Sequence, residues 1–383
     1  MKYIIRYGEI GVKSPKIRRK FENRLSENIQ TVLDAQIDID QGRMILETSE
    51  KPETVNQYLT KIFGIVSYSP IIETVAEKSI LTKTIEDLID KLLEEKEFDP
   101  KKTFAIKCRR VGKHNYSSQQ IAGYCGSVVI KKTNAPVNLS NPDFTLYVEI
   151  RDDKAYLYHE KIQCLGGLPV GTQGRVLVLV SSGIDSPVAV YSMLKRGCSV
   201  SILHFNNSPY TSGDMDKVIS NINQLKKYSV GSKIESFVVN YGDYLKQVQI
   251  DAPPRMTCIL CKSGMYQVAQ KLAKDRNCQA IVDGSSIGQV ASQTLPNIQA
   301  SRYHCNMPIF SPLIGMDKIE IENLGKQIGT YEISILPDSG CSAVPKYPET
   351  NADLDLVIDT EEKINIESLV DKVYETCTKI KKE

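Results

Sequence analysis

Apolar residues follow two kinds of pattern along this chain, and the change from one to the other divides it. In the first 165 residues, short alternating stretches interleave with helical stripes. Lys2–Tyr7 alternates like a half-buried strand. Ser14-Pro15, a cap followed by a favoured first-turn proline, opens a helix predicted to run to about Leu33. Phe21, Leu25 and Ile29 are its apolar face. Met44–Thr48 predicts a second strand and Val55–Phe63 a second helix. Beyond them Ile65–Ile72 reads as strand, Ser79–Leu93 as helix and Phe104–Cys108 as strand. Ser117-Ser118 caps the next helix, and Phe144–Ile150 with Lys154–His159 reads as a hairpin around Arg151-Asp152-Asp153.

After residue 175 the strands turn continuously apolar. Val176–Val180 is an unbroken run, the signature of a strand covered on both faces of a parallel sheet. Ser199–Phe205, Ile234–Val239 and Ala280–Val282 predict further strands. Helices are predicted after Pro187, over Asp214–Tyr228, around Met265–Ala273 and over Asp317–Gly329. Glu332–Leu336 reads as a last strand. Glu361–Glu383 reads as one amphipathic helix, with Leu369, Val373 and Cys377 on the face that packs on the domain or on a second copy in a homodimer. The expected class is α/β. A ferredoxin-like α+β unit is expected over 1–60 and a second α+β unit over 61–165. A glycine-rich linker covers 166–175, uncharged as far as Gly174. An open, mostly parallel, Rossmann-like sheet with helices on both faces follows over 176–383.

The 383 residues carry a net charge of only +2, so no global field advertises a partner. Distribution changes the picture. Residues 1–35 hold eight Lys/Arg against four Asp/Glu, and residues 107–132 hold six and no acid. Lys16, Arg18 and Arg19 on the first helix, and Arg109, Arg110, Lys113 and His114 at a strand end before a helix N-terminus, are candidate contacts to the phosphates of an RNA. Tyr116 could stack on a base or simply pack. No secretory signal precedes MKYIIRYGEI, and no apolar run approaches ~20 residues, so a cytoplasmic protein without a membrane span is expected. Ten cysteines in such a chain argue for buried thiols, metal ligands or redox chemistry over a disulfide framework.

The chemistry gathers at VLVLVSSGIDSP, Val176–Pro187. A strand ends in Ser181, Ser182, Gly183, Ile184, Asp185 and Ser186, and a helix begins at once. That arrangement aims backbone N–H groups and small hydroxyls at one point, where phosphate binds. It lacks the Walker spacing. His204-Phe205 ends a second strand, where open α/β sheets take ligands, although His204 is equally well read as a core histidine. Asp283-Gly284-Ser285 is another turn suited to phosphate or ribose. Cys258 and Cys261 form a C-x-x-C compatible with zinc, an iron–sulfur cluster or a redox pair. No second C-x-x-C completes a four-thiolate zinc site. Cys341, in PDSGCSAVPKYPET, is one further candidate.

VSSGIDS resembles the PP-loop, SGGxDS, of the ATP pyrophosphatases, with Ser182 where that family has glycine. RYGEIGVK, the block R-x-G-K-H-x-Y-S-S, GGLPVGTQG, GSSIGQVASQT and PLIGMDK together resemble the tRNA 4-thiouridine synthetases of ThiI type, and 61–165 resembles their THUMP RNA-binding domain. The resemblance implies binding of ATP with magnesium (Mg2+) and of tRNA. The C4 oxygen of uridine 8 would be adenylated with loss of pyrophosphate, and sulfur would then replace AMP. It implies that Leu179, Val180, His204 and Phe205 frame the adenine. Ser181, Ser182, Gly183 and Ser186 would grip pyrophosphate, and Asp185 would lie by the metal and the reacting phosphate. Lys262, Gly284 and Gln293 would touch ATP, and Cys341 would be the catalytic cysteine. Cys258, Cys261 and Cys341 match the archaeal-type members, whose three cysteines hold an iron–sulfur cluster, [4Fe–4S] or [3Fe–4S], with one iron open to sulfide. The alternatives are a persulfide on Cys341 and a non-catalytic RNA-binding protein with a decayed ATP site. Sulfur would arrive as sulfide or from a donor such as a cysteine desulfurase. The chain ends at Glu383, which leaves no room for the rhodanese domain of longer members.

Overall fold

The computed structural model describes residues 1–40 and 42–380. The chain divides into two compact units. One takes residues 1–11, 33–60 and 65–164; the other takes 12–32, 61–64 and 165 onward. The elements run β1 (Lys2–Arg6), α1 (Pro15–Gln30), β2 (Ala35–Asp40), β3 (Arg43–Thr48), α2 (Pro52–Leu59), β4 (Ser67–Val75), α3 (Lys78–Glu94) and β5 (Phe104–Val111). Next come α4 (Ser118–Thr133), β6 (Phe144–Arg151), β7 (Lys154–Tyr158), β8 (Ile162–Gln163), β9 (Arg175–Leu179), α5 (Asp185–Lys195) and β10 (Ser199–Asn206). Then follow α6 (Asp214–Lys226), β11 (Glu235–Asn240), α7 (Gly242–Asp251), α8 (Thr257–Asp275), β12 (Ala280–Val282), α9 (Leu295–Arg302) and β13 (Ile309–Phe310). The chain closes with α10 (Lys318–Ile328), α11 (Tyr331–Ser334), α12 (Leu354–Lys363), α13 (Ile366–Glu375) and β14 (Thr378–Lys379).

The first unit is built on one eight-stranded sheet, ordered β2-β3-β1-β4-β7-β6-β5, with β8 paired to β4. Strand β4 is its hinge pin. Its first half pairs with β1, from Arg6↔Ser67 to Lys2↔Ile71, and its second half with β7, from Ile72↔Leu157 to Val75↔Lys154. Leu81, Ile85 and Leu88 of α3 and Ile121, Cys125 and Val129 of α4 form the core beneath the far strands. Ser117 caps α4 with a reciprocal Gln120 bond, as the sequence leads one to expect. Strand β2 was not foreseen, because in AQIDID the isoleucines alternate with acids on a half-exposed edge.

The second unit has a six-stranded sheet, ordered β13-β12-β9-β10-β11-β14, parallel except for β14. Leu177, Leu203, Phe237 and Ile281 face a core shared with α7, α8, α12 and α13. Val176, Val178, Val200, Ile202 and Val282 face one shared with α5, α6 and α10. Burial on both faces is why these strands read as unbroken apolar runs. Helix α1 belongs to this unit: Arg24 donates from Nε to the Val170 carbonyl at 2.9 Å and from Nη2 to that of Gly231 at 2.8 Å.

Two expectations are corrected here. Glu332–Leu336 is not a strand; Tyr331–Ser334 is a short helix, and Ile335 and Leu336 are exposed, so their apolarity serves no sheet. The tail is not one helix but α12, α13 and β14. Asn365, in the left-handed region at φ 51°, breaks it and starts α13. Val357, Ile364, Val370 and Val373 pack the tail into the unit's own core. Among the described residues no helix is long and apolar enough to cross a membrane.

Candidate active site

The C-terminal ends of β9, β10 and β12 open on a cavity of about 360 Å³, a size usual for cofactor sites. Of the residues singled out for ATP, all but Gly183 line it: Leu179, Val180, Ser181, Ser182, Asp185, Ser186, His204, Phe205, Lys262, Gly284 and Gln293. Cys341 lines it too, whereas Cys258 and Cys261 do not.

The loop after β9 is closed by its own serines. Ser186 Oγ accepts from the Ser181 N–H at 2.9 Å and lies 3.2 Å from the Ser181 carbonyl, to which it donates. Ser182, where glycine is usual, has no positive φ, so nothing in the backbone there demands glycine. Its hydroxyl lies 3.4 Å from Asp214 Oδ1 and 3.4 Å from Asp338 Oδ2, and its single proton can serve one carboxylate at a time. Gly284 is different. A Cβ there would stand 3.0 Å from Ser186 N and 3.1 Å from the Asp185 carbonyl carbon, backbone atoms that cannot swing away. Glycine thus lets the turn after β12 press against the start of α5. Burial pushes the Asp185 carboxyl up, against a 3.1 Å bond from Gln289 and the charge of Lys318.

The deeper wall is set to accept hydrogen bonds. His204 is 3% exposed, and its Nδ1 lies 2.9 Å from the Val180 carbonyl. A carbonyl can only accept, so Nδ1 carries the proton and Nε2 keeps a lone pair. Burial pulls the His204 pKa down, outweighing Val180 and the charge of Asp214. Gln293 Oε1 and Asn207 Oδ1 are buried without a partner among the described residues, and both side chains line the cavity. Asp283 is saturated by Arg302 at 3.0 Å, Ser311 at 2.6 Å, the Ser285 N–H at 3.1 Å and the Tyr266 hydroxyl. Burial raises its pKa, but these partners and Lys262 outweigh it and hold the carboxyl below its usual value. Asp283 therefore acts as the anchor of the turn that carries Gly284 and Ser285. Lys262 Nζ lies 3.5 Å from Ser285 Oγ, and burial lowers its pKa despite nearby Asp283.

Cys258 and Cys261 lie in the first turns of α8 at i, i+3 and so share a face. Tyr241 and Tyr244, stacked at 4.5 Å, brace that turn by donating to the carbonyls of Cys261 and Leu260 at 2.7 and 2.8 Å. Cys341 is exposed on the loop after α11. Burial raises the Cys258 and Cys261 thiols, and the charge of Cys341 raises both further, so the three lie within electrostatic reach. Among the described residues no three His, Cys, Asp or Glu side chains stand close enough to share one metal ion. A cluster takes each thiolate on a different iron and asks for a wider triangle. Three thiols are donors of the kind an iron–sulfur cluster takes.

The candidate RNA contacts fall in both units. Lys16 and Arg19 are exposed and Arg18 half-buried on α1 of the second unit. Arg109 and Lys113 are exposed in the first unit. Arg110 and His114 are engaged with each other and with the β6–β7 turn: His114 Nε2 donates to the Asp152 carbonyl at 2.6 Å, and Nδ1 faces Arg110 Nη1 at 3.3 Å. Tyr116 packs beside His114 and donates to the Ala76 carbonyl at 3.1 Å. Sequence reasoning missed Asn207, Asp214, Tyr266 and Asp338, all lining the cavity. Asn207 follows the last residue of β10, so the rule that placed His204 could have reached it.

Residues 171–366 match the family described as "Thiamine biosynthesis protein (ThiI)", 82–160 match "THUMP domain" and 2–69 match "ThiI ferredoxin-like domain". A "Probable tRNA sulfurtransferase" of Methanobrevibacter smithii is 51% identical over 97% of this chain and 98% of its own length. A protein of the same description from Methanothermobacter thermautotrophicus is 45% identical over 98% and 97%. A solved structure described as "Crystal structure of a 4-thiouridine synthetase - RNA complex with bound ATP" superposes with a TM-score of 0.89 at 31% identity, covering 99% of each chain.

Proposed function

The chain belongs to the ThiI family, and from that premise we propose that it is a cytoplasmic tRNA sulfurtransferase that uses ATP to convert uridine 8 of tRNA to 4-thiouridine. The observation that carries the reading is the single cavity whose wall includes the loop after β9, the strand ends of β10 and β12, and Cys341. An exposed thiol on the wall of a cavity built for a nucleotide is what a reaction using both would need.

In this reading adenine lies at Leu179, Val180 and Phe205, with His204 Nε2, Gln293 Oε1 and Asn207 Oδ1 accepting from ATP. The phosphates meet the loop Ser181–Ser186 and the α5 N-terminus. The C4 oxygen of uridine attacks the α-phosphorus, the bond to the β-phosphate oxygen breaks, and pyrophosphate leaves. A carbonyl oxygen is a poor leaving group and AMP a good one, which is what the first step achieves. Lys262 and the loop N–H groups stabilise charge on the departing pyrophosphate. Asp185 would hold magnesium, which neutralises phosphate charge when bound. Sulfide sulfur then attacks C4 and AMP departs. Cys258, Cys261 and Cys341 would hold an iron–sulfur cluster, which supplies an open iron for sulfide. Lys16, Arg18, Arg19, Arg109 and Lys113 contact tRNA phosphates, and Arg110 with His114 shapes their turn. A cysteine desulfurase or free sulfide is the expected donor, and a homodimer would use a surface other than the apolar face of α13, which enters the unit's own core.

The test is pyrophosphate release and 4-thiouridine formation with unmodified tRNA and with tRNA carrying cytidine at position 8. Release that needs tRNA, and product only with uridine 8, supports the reading. ATP turnover indifferent to tRNA would sink it. Thiolation by iron-free protein would instead favour a persulfide on Cys341.

A further inference from the structure

Helix α6 turns a polar face inward. Lys217, Asn221 and Gln224 recur at i, i+4 and i+7, and each donates to the segment that leads to Cys341. Lys217 Nζ reaches the Leu336 carbonyl and Asp338 Oδ2, both at 2.7 Å. Asn221 Nδ2 reaches Ser334 Oγ at 3.1 Å, and Gln224 Nε2 the Ile328 carbonyl at 2.7 Å. Lys217 is 5% exposed and Asn221 fully buried.

Asp338 relays this grip. Its Oδ1 accepts from the Gly340 N–H at 3.0 Å, and Gly340 takes φ 61° immediately before Cys341. Beyond Cys341, the Ser342 N–H bonds the Tyr210 carbonyl at 2.9 Å, and Ser339 Oγ accepts from the Ser212 N–H at 2.9 Å. The turn has little apolar anchorage: Leu336, Cys341 and Val344 are exposed, and Ala343 is the nearest buried apolar residue. It also reaches the phosphate loop, since Ser334 Oγ donates to the Gly183 carbonyl at 3.3 Å and Ser182 Oγ lies beside Asp338.

We infer that Lys217 is a positioning residue for Cys341: through Asp338 it fixes the Asp338–Cys341 turn at the cavity, so that sulfur transfer follows adenylation. Lys217 touches neither nucleotide nor sulfur and lies outside the cavity lining. Its removal therefore impairs the second chemical step far more than the first. The inference rests on the sulfurtransferase reading above, and its test separates the two.

Lys217→Met and Lys217→Arg are compared with wild type, measuring pyrophosphate released and 4-thiouridine formed. Lys217→Met should keep tRNA-dependent pyrophosphate release within about threefold. Its thiouridine per pyrophosphate should fall at least ~10-fold, since small misplacements cost such factors. Lys217→Arg, which keeps the charge, should restore most of the ratio. Amide exchange in chelator-treated protein should speed up over residues 336–342 in Lys217→Met and not over α12 and α13. If Lys217→Met does not fold, Lys217→Gln, which keeps one donor, carries the same comparison. An unchanged ratio, or an equal fall in both steps, overturns the inference. Wild type that releases no pyrophosphate overturns the sulfurtransferase reading instead, and unchanged exchange at 336–342 would then overturn the positioning role of Lys217 as well.

Discussion

His204 donates its Nδ1 proton to the Val180 carbonyl, 2.9 Å away, and so bonds one cavity strand to its neighbour while leaving Nε2 with a free lone pair at the cavity wall. His204→Phe keeps the bulk and loses both roles. The KM for ATP in pyrophosphate release should rise about tenfold with a smaller change in kcat. An unchanged KM would return His204 to the core.

The same burial sets a pH dependence. The native His204 pKa lies below the ordinary value near 6.5, so between the two the unfolded chain binds the extra proton. Its contribution to stability is fully present above about pH 6.5 and is lost as pH falls through the native pKa. Asp214 opposes this weakly by favouring the charged ring. Thermal midpoints of wild type should therefore drop more steeply than those of His204→Gln between about pH 7 and pH 5. Parallel slopes would show that the ring does not titrate this way.

Gly284→Ala forces a methyl against the backbone of Asp185 and Ser186, neither of which can rotate aside. Overpacking of this kind costs about 1–3 kcal/mol, and the shift falls on the phosphate loop. ATP-dependent pyrophosphate release should drop well beyond what the lowered melting temperature explains. Full activity would mean the turn has slack that the geometry denies.

Lys262→Met removes the cavity-lining ammonium near Ser285. If it stabilises departing pyrophosphate, kcat for release should fall roughly 100-fold with KM nearly constant. A pure KM effect would make it a ground-state phosphate contact.

Anaerobic purification with iron and acid-labile sulfide measured settles the thiols. Wild type should carry both in stoichiometric amounts, and Cys258→Ala, Cys261→Ala and Cys341→Ala should each lose them. Iron kept by Cys341→Ala would place the exposed cysteine outside the cluster.

Much of the catalytic half could be read from the chain because its signals are local. Val176–Val180 is apolar throughout since both sheet faces are covered, and Asp317 with Gly329 announces both ends of α10. Ile335 and Leu336 misled because their apolarity meets no sheet. Lys217 could not be read, since its partners lie 119 and 121 residues away. Asp338 became visible only when the phosphate loop and the Cys341 loop met in space, whereas Asn207 lay within reach of the strand-end rule. Serine at 182, where the resembled loop has glycine, fits because its φ is not positive.

Helix α1 carries a consequence for how the protein is made. Arg24 reaches Val170 and Gly231, residues 146 and 207 positions later. At ribosomal rates the helix emerges on the order of ten seconds or more before its first partner. During that wait Arg24 and Asn28 lack the Val170 carbonyl that both of them bond. A fragment begun at residue 165 would meet the mirror-image problem, lacking a helix it cannot synthesise. Supplying residues 12–32 as a separate peptide is therefore the natural way to rescue such a fragment.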